Sequence, residues 1–142
     1  MKNMVIETNA VVKEIIPRTR DVKSFRAVPE EWVDFKAGQW LFVKLCVAGH
    51  ELSKPLSISS ASTEKGYLEF TKKITSSEFS KTLEQLKSGD KVRIKYPQGN
   101  FIFQNDCPKI AFLSGGIGIT PIRSICRDAT DRGWPTDMIL LY

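Results

Sequence analysis

The segment Ser114–Pro121, which reads S-G-G-I-G-I-T-P, constrains the fold more than any other part of the chain. An apolar run at 110–113 precedes it, and apolar residues recur at helical spacing from Ile122 to Ala129. Glycines let a backbone pass close to a pyrophosphate, and the amide end of the following helix faces the anion. Pro121 suits a first helical turn, where no backbone N–H is needed. The segment therefore predicts a nucleotide-phosphate site.

A second apolar run, Met138–Leu141, follows the helix, which we expect to end at Gly133 and Pro135. Strand, glycine turn, helix and strand make a βαβ unit, whose two strands should be parallel. Two strands and one helix do not cover both faces of a parallel sheet. We therefore interpret residues 106–142 as the opening of a doubly wound domain, with its last strand suited to burial on both faces.

Residues 1–105 have a different hydrophobic periodicity, in which apolar and polar residues alternate as they do in a β-strand. About six strand-like runs are separated by turns at Ala37-Gly38, Ala48-Gly49 and Lys65-Gly66. The runs lie at 10–16, 22–28, 41–47, 55–60, 67–72 and 91–96. Even spacing without helical crossovers predicts an antiparallel barrel. We place the domain boundary near Asn105.

One short helix interrupts the strands. Phe79, Leu83 and Leu86 have helical spacing, Thr75 and Glu78 have the spacing of a capping box, and Gly89 is expected to end the helix.

Composition places the chain among ordinary globular proteins, with 42% hydrophobic and 26% charged residues. No apolar stretch is long enough to span a bilayer, and an acidic residue comes too early for a secretory signal, so we expect a cytoplasmic protein without a membrane partner. Three cysteines without C-x-x-C spacing predict no metal site and no disulfide framework. Cys46 and Cys126 are interpreted as small core residues.

Four segments together resemble the ferredoxin reductase-like flavoproteins. Lys54-Pro55-Leu56-Ser57 is similar to the R-x-Y-S flavin motif of that family, and Tyr96–Phe101 is similar to its G-P-x-G-x-F turn. Gly115–Pro121 matches G-G-x-G-x-T-P, and Ser77–Ser80 is similar to the G-x-x-S start of a pyrophosphate-binding helix. The resemblance implies an antiparallel Greek-key FAD-binding barrel, followed by the first part of an NAD(P)-binding domain.

The resemblance also implies roles for single residues. Lys54 would neutralise the FAD pyrophosphate, Pro55 and Leu56 would complete the flavin motif, and Ser57, the candidate catalytic residue, would bond near flavin N5. Backbone groups of Thr71 and Lys72 would hold the isoalloxazine and ribitol.

Two further segments have implied roles in binding the dinucleotides. The amides around Glu78, Phe79 and Ser80 would take the diphosphate of FAD. In the second motif, Thr120 would lie at the flavin edge, beside Pro121. Gly115, Gly116 and Gly118 would leave room for a nicotinamide dinucleotide.

The function implied is electron transfer from NAD(P)H through FAD to an acceptor such as ferredoxin or flavodoxin, and an isolated chain of this length is expected to be a weak enzyme. Three positions depart from the family pattern. Leu56 replaces a stacking tyrosine, Lys54 replaces an arginine that binds phosphate through two nitrogens, and Tyr96 replaces the first glycine of its turn.

Alternatives remain open at this level. One alternative is a flavin-binding electron-transfer subunit. Another is a basic barrel that binds single-stranded nucleic acid, since the net charge is +5, although nucleic acid is not the expected partner. Lys91, Arg93 and Lys95 form either a solvated strand face or a docking patch for an acidic acceptor. His50 is interpreted as a surface residue. The choice between NADH and NADPH is open, and self-association through the exposed C-terminal strand is an expectation.

Overall fold

The computed structural model describes residues 4–142, and six antiparallel strands form its first part. Their order in the sheet is β4-β3-β6-β1-β2-β5. The strands are β1 (Ile6–Pro17), β2 (Val22–Pro29), β3 (Trp40–Val47), β4 (His50–Ser57), β5 (Leu68–Lys73) and β6 (Lys91–Gln98). The two end strands approach each other just beyond β4, where Ile58 and Phe70 form an isolated antiparallel bridge. The predicted antiparallel barrel is confirmed as a strongly curled six-stranded sheet.

Period-2 alternation determines which side chains enter the core of this sheet. Leu41, Val43 and Leu45 on β3 are at most 5% exposed, and Phe25 and Phe70 stack at 5.4 Å between ring centroids. The fourth strand begins earlier than predicted, at His50 instead of Pro55. Ala48 and Gly49 both have positive φ, so they form a two-residue hairpin turn and pairing with β3 starts directly after it.

The short helix α1 (Glu78–Glu84) closes one end of the sheet with Phe79 and Leu83, which are both buried. Its N-cap is Ser77, whose hydroxyl accepts the Ser80 amide at 3.2 Å, so the predicted capping box at Thr75 is wrong. The helix also ends before Gly89. That glycine, at φ +98°, lies in the turn before β6 and donates its amide to the Val12 carbonyl.

The second part of the chain consists of β7 (Lys109–Leu113), α2 (Ile119–Asp131) and β8 (Asp137–Leu141). The two strands pair in parallel, from Lys109 opposite Asp137 to Leu113 opposite Leu141. Phe112, Ile122 and Ile125 form a second hydrophobic cluster, which also includes Ala37 from the turn before β3. Gly133, at φ +64°, follows α2 as predicted.

Strand β8 has the apolar sequence of a strand suited to burial on both faces, but it is left largely exposed among the described residues, as expected for the C-terminal strand. Ile139 is 60% exposed and Leu141 56%, and Leu113 at the end of β7 is 78% exposed. The reason is that α2 covers one face of the two-stranded sheet and no further strand lies beside it among residues 4–142.

The cysteine prediction is corrected at one position. Cys46 is exposed, because Leu45 takes the core-facing place and strand alternation turns its neighbour outward. Cys126 is half-buried beside the second cluster, and burial raises the pKa of its thiol. Across residues 4–142, no helix has the length and apolarity needed to cross a membrane. The same residues contain no group of three or more metal-ligating side chains.

Candidate functional site

The ends of β4 and β5 bring two of the predicted segments together. The bridge between Ile58 and Phe70 sets an antiparallel register in which Ser57 lies opposite Thr71 and Leu56 lies opposite Lys72. The flavin motif and the backbone segment assigned to the isoalloxazine are therefore neighbours across one strand gap.

Two lysines concentrate positive charge at this gap. Burial lowers the pKa of Lys72, and the nearby charge of Lys54 lowers it further. Lys54 is exposed and none of the described ion pairs includes it, whereas Lys72 is half-buried and donates to the Lys73 carbonyl at 2.7 Å. A phosphate group placed here would relieve the repulsion between the two ammonium groups.

The pairing of β4 with β3 shows on which face of the sheet the side chains of Lys54 and Leu56 lie. Lys54 lies opposite Val43 and Leu56 opposite Leu41, so both share the face that β3 turns toward the core. Leu56 is half-buried and packs against that core. This side chain therefore forms an apolar surface beside the lysine pair, as a flat ring bound there would require.

Helix α1 begins near the start of β4, where His50 Nε2 is 3.5 Å from a Glu78 carboxylate oxygen. His50 is exposed, as predicted. The Ser80 side chain is buried beside Thr75, and its amide is already bonded to Ser77. The amides of Glu78 and Phe79 belong to the first helical turn, whose N–H groups have no partner within the helix.

The glycine turn, residues 114–118, contacts β5 from the other side. Gly115, Gly116 and Gly118 are exposed, and a Cβ built on Gly115 or Gly116 would meet nothing within 4 Å. Gly116 also has φ +56°, a conformation that glycine adopts most easily. Open space over this backbone is what a close-lying dinucleotide needs.

The first turn of α2 fixes the rest of the motif. Thr120 is 6% exposed and donates to the Ile117 carbonyl at 3.0 Å, and Pro121 lies in the same helical turn. Tyr142 reaches back from the end of β8, where its hydroxyl donates to the Gly116 carbonyl at 3.3 Å.

A cavity of about 410 Å³ separates the glycine turn from the outer face of β2 and β5. The barrel side of this cavity carries charged and hydroxyl side chains, including Arg18, Glu69 and Thr71. Glu69 is 2% exposed and is held by Arg18 at 3.2 Å and by Arg26 at 2.9 Å.

Sequence reasoning missed Arg18 and Glu69 as cavity residues, and it named Thr71 for its backbone groups only. The alternation of residues 67–72 places the side chains of Glu69 and Thr71 on the polar face of a strand. They alternate with Leu68 and Phe70, as that assignment requires, but α2 and the glycine turn cover them. The sequence contained one signal for this buried interface. Glu69 and Thr71 alternate with core residues, and a second predicted domain was available to cover them.

Arg123 on α2 connects the second part of the chain to the barrel. Its guanidinium binds the Glu64 carboxylate and the Ser59 carbonyl, the latter at 2.8 Å. Burial of Glu64 opposes its ionisation. Hydrogen bonds from Arg123, the Ala61 amide and Tyr67, with the Arg123 charge, outweigh burial and lower the pKa of Glu64 to about 2.

Tyr96 does not reach the candidate site. It is fully buried in the barrel core, where its hydroxyl donates to the Glu31 carbonyl and accepts the Val33 amide, both at 3.1 Å. At this position, the first glycine of the family's G-P-x-G-x-F turn is therefore replaced by a residue that packs in the barrel core.

Comparison with known proteins identifies the family of the chain. The family model described as an oxidoreductase FAD-binding domain matches residues 9–103, which is most of the chain. The chain belongs to this family. FAD is accordingly the cofactor to test against the site, and the lysine pair and the apolar Leu56 surface fit such a group.

Individual relatives extend the match beyond the barrel. A flavohemoprotein of Halalkalibacterium halodurans is 32% identical over 93% of this chain and 35% of its own length. The reductase component of propane 2-monooxygenase from Rhodococcus jostii is 31% identical over 86% of this chain and 34% of its own length. The chain thus spans about a third of the length of these relatives.

A solved structure shows the same fold. The flavohem-like FAD/NAD binding domain of nitric oxide dioxygenase from Vibrio cholerae superimposes with a TM-score of 0.84, at 24% identity, over 95% of this chain and 61% of that domain.

Proposed function

We propose that the chain binds FAD along β4, β5 and α1 and takes part in electron transfer from a nicotinamide dinucleotide to an acceptor. The observation that carries the proposal is the strand register that places Lys54 and Lys72 at the gap between β4 and β5, where burial and the charge of Lys54 lower the pKa of Lys72. Like charges at one gap destabilise the free protein, and a bound anion turns that repulsion into attraction. The family match over residues 9–103 supports FAD as the cofactor, and the proposal assigns its pyrophosphate to this lysine pair.

Each part of the site has a defined task in this proposal. Lys54 and Lys72, with the first amides of α1, hold the phosphates, while Leu56 covers one face of the ring. Ser57, opposite Thr71, places a hydroxyl at the ring edge and holds a proton there. When bound, FAD supplies the hydride-accepting and electron-releasing chemistry.

The glycine turn holds the second dinucleotide, NAD(P)H, in this proposal. Gly115, Gly116 and Gly118 leave its backbone open, and Thr120 stands at the start of α2 on the side that faces β5. Residues 1–105 act as the FAD-binding domain and residues 106–142 as the first βαβ unit of the NAD(P)-binding domain.

The acceptor is proposed to be an electron-transfer protein such as ferredoxin or flavodoxin. Lys91, Arg93 and Lys95 are a poor docking patch for it. Lys91 is 3.0 Å from Glu30 and Arg93 is 3.6 Å from Glu7, so the strip carries little surplus charge.

A second candidate is a subunit that relays electrons within a multi-chain enzyme, which is favoured by the relative named a reductase component. Titration with NADH separates the two. The leading function requires NADH to bind to the FAD-loaded chain, even where its turnover is slow, whereas a relay subunit binds FAD alone.

Titration of the purified chain with FAD tests the common core of both candidates. Binding should quench flavin fluorescence, perturb the flavin absorption bands and raise Tm. Saturating FAD that changes neither the spectrum nor Tm contradicts the proposed function.

A further inference from the structure

Five polar side chains form a closed ring of hydrogen bonds at the outer face of β2 and β5. Ser24, Glu69 and Thr71 lie on these strands, whereas Arg18 and Ser59 come from the segments after β1 and β4. The strand register brings these residues together. Thr71 lies opposite Ser24 on β2, and Glu69 lies opposite Ser59, next to the bridge between Ile58 and Phe70. The ring runs from Arg18 to Ser24 at 2.9 Å, on to Thr71 at 2.7 Å, to Ser59 at 3.0 Å, to Glu69 at 2.9 Å and back to Arg18 at 3.2 Å.

The direction of every hydrogen bond in the ring follows from Glu69. A carboxylate only accepts, so Ser59 donates its single hydroxyl hydrogen to Glu69. Ser59 must then accept from Thr71, and Thr71 in turn must accept from Ser24. Ser24 accepts from the Arg18 guanidinium. All three hydroxyl hydrogens are consumed within the ring, and each hydroxyl oxygen keeps one free lone pair.

The ring forms one wall of the 410 Å³ cavity, since all five of its residues line that space. The facing wall contains Gly116, Ile117 and Ile119, and also three polar residues, Thr120, Arg123 and Tyr142. Thr120 and Tyr142 donate to the carbonyls of Ile117 and Gly116, and Arg123 donates to Ser59 and Glu64. A ligand that packs against Ile117 and Ile119 meets the ring on its other side, where the hydroxyls offer only acceptor lone pairs. An N–H donor on a flat group suits both the isoleucines and the hydroxyl oxygens, whereas a group that offers only lone pairs finds no free hydrogen on the three hydroxyls and loses its water there without compensation.

We propose that this ring recognises a planar amide N–H of a bound cofactor and rejects analogues that lack it. The proposal rests on the proposed function, because the cavity lies between the glycine turn and Thr71, the residue opposite Ser57 of the flavin motif. Both cofactors carry the required group. Nicotinamide has a primary carboxamide and the flavin pyrimidine ring has an imide N–H.

Two pairs of probes distinguish these sources. The first pair is NADH and its reduced 3-acetylpyridine analogue, in which a methyl group replaces the carboxamide NH₂. The second pair is FAD and N3-methyl FAD, in which a methyl group replaces the imide hydrogen. Dissociation constants are measured by fluorescence titration of the 142-residue chain. We expect the donor-bearing member of one pair to bind about tenfold more tightly, the value of one net hydrogen bond.

Two ring variants test the origin of that preference. Ser59→Ala removes one acceptor and frees the Thr71 hydrogen, so the tenfold ratio should fall toward one. Glu69→Gln introduces an amide that donates to Ser59. The direction of donation along the three hydroxyls is then free to reverse, so in this variant too the tenfold ratio of dissociation constants should fall toward one. The milder Ser59→Ala keeps the test available if Glu69→Gln, which breaks two arginine pairs, does not fold.

The matched control is Ser62→Ala. Ser62 is also buried and also donates to a carboxylate, that of Asp128, but it lines a different cavity. This variant should keep the tenfold ratio.

The outcomes separate this proposal from the function on which it rests. Failure of both FAD and NADH to bind rejects the proposed function and the ring proposal together. If either cofactor binds but neither pair is discriminated, or if Ser62→Ala abolishes the preference as fully as Ser59→Ala, the ring proposal alone is rejected.

Discussion

Arg123 on α2 holds Glu64 of the barrel through both terminal nitrogens of its guanidinium. The contact belongs to a polar interface in which α2 lies along residues 59–64. Ser124 donates to the Ser60 carbonyl at 2.7 Å, and Thr63 donates to Asp131 at 2.6 Å. The relative position of the two parts of the chain therefore depends on hydrogen bonds and charge as much as on apolar contact.

This interface should weaken in acid. The pKa of Glu64 is about 2 in the folded chain, against an ordinary value of 4.5. Below pH 4.5 the unfolded chain takes up a proton that the folded chain excludes, so stability is lost as pH falls from about 4.5 to about 2. The loss should be roughly 2 kcal/mol, reduced from the full linkage value because Arg123 is partly exposed. Thermal denaturation at pH 6, 4 and 3 measures it.

Glu64→Gln should remove most of the acid sensitivity and lower stability at pH 6. Glu84→Gln is the matched control, since Glu84 pairs with Lys23 on the barrel and does not contact α2. Equal pH profiles for the native chain and Glu64→Gln would contradict the assigned role of this contact.

Lys54→Ala should weaken FAD binding by about 1–3 kcal/mol, because it removes one charge-assisted phosphate contact. Fluorescence titration at two salt concentrations measures the change, and the difference between native and variant should shrink at high salt. Lys13→Ala, at an exposed lysine on β1, is the control and should bind FAD normally. A Lys54→Ala variant with native affinity would remove Lys54 from the site.

The pH dependence of FAD binding should reveal the lysine pair. Burial and Lys54 lower the pKa of Lys72 in the free protein, and a bound phosphate would raise it. Affinity should therefore be constant below the lowered pKa and fall as pH rises through it. In Lys54→Ala the pKa of Lys72 rises, so the fall should move to higher pH. An identical pH profile in both proteins would show that the lysines do not share one anion.

Leu56→Tyr should tighten FAD binding by about 0.5–1.5 kcal/mol, because an aromatic ring stacks on the flavin where the leucine only covers it. Leu56→Ala should weaken binding, and Tm must be measured as well because Leu56 packs against the barrel core. If both variants bind FAD as the native chain does, the side chain points away from the ring.

Local sequence patterns predicted the sheet well, because strand alternation and turn glycines act over a few residues. The runs at 22–28 and 91–96 became β2 and β6 with little change. The predictions were wrong where several equivalent residues compete within a short segment. Ser77 caps α1 although Thr75 has the better spacing to Glu78, because only Ser77 has the extended backbone directly before the helix.

The candidate site was only partly predictable. Motif residues such as Lys54 and Gly116 were named from sequence, since each motif is contiguous. The ring of Arg18, Ser24 and Glu69 was not predicted, because its members come from three separate segments that only strand register brings together. No local pattern encodes that register.

The exposed edge of β8 leads to the last prediction, which concerns the behaviour of the 142-residue chain alone. Ile139 and Leu141 are more than half exposed, and β8 pairs on one side only among the described residues. An unpaired apolar strand favours pairing with another copy. We expect light scattering to show concentration-dependent association, which Ile139→Lys should reduce without changing FAD affinity; Lys109→Ala, on β7, is the control.

The same edge should limit catalysis, because the glycine turn receives nicotinamide-side contacts from only one βαβ unit. NADH oxidation with ferricyanide as acceptor should be near background for these 142 residues, and a chain extended past Tyr142 by the rest of a nucleotide-binding domain should recover it. The comparison is made at equal FAD occupancy, so that a difference reports the nicotinamide side alone. Rapid turnover by a monodisperse monomer of the 142-residue chain would show that β7, α2 and β8 already form a sufficient dinucleotide site.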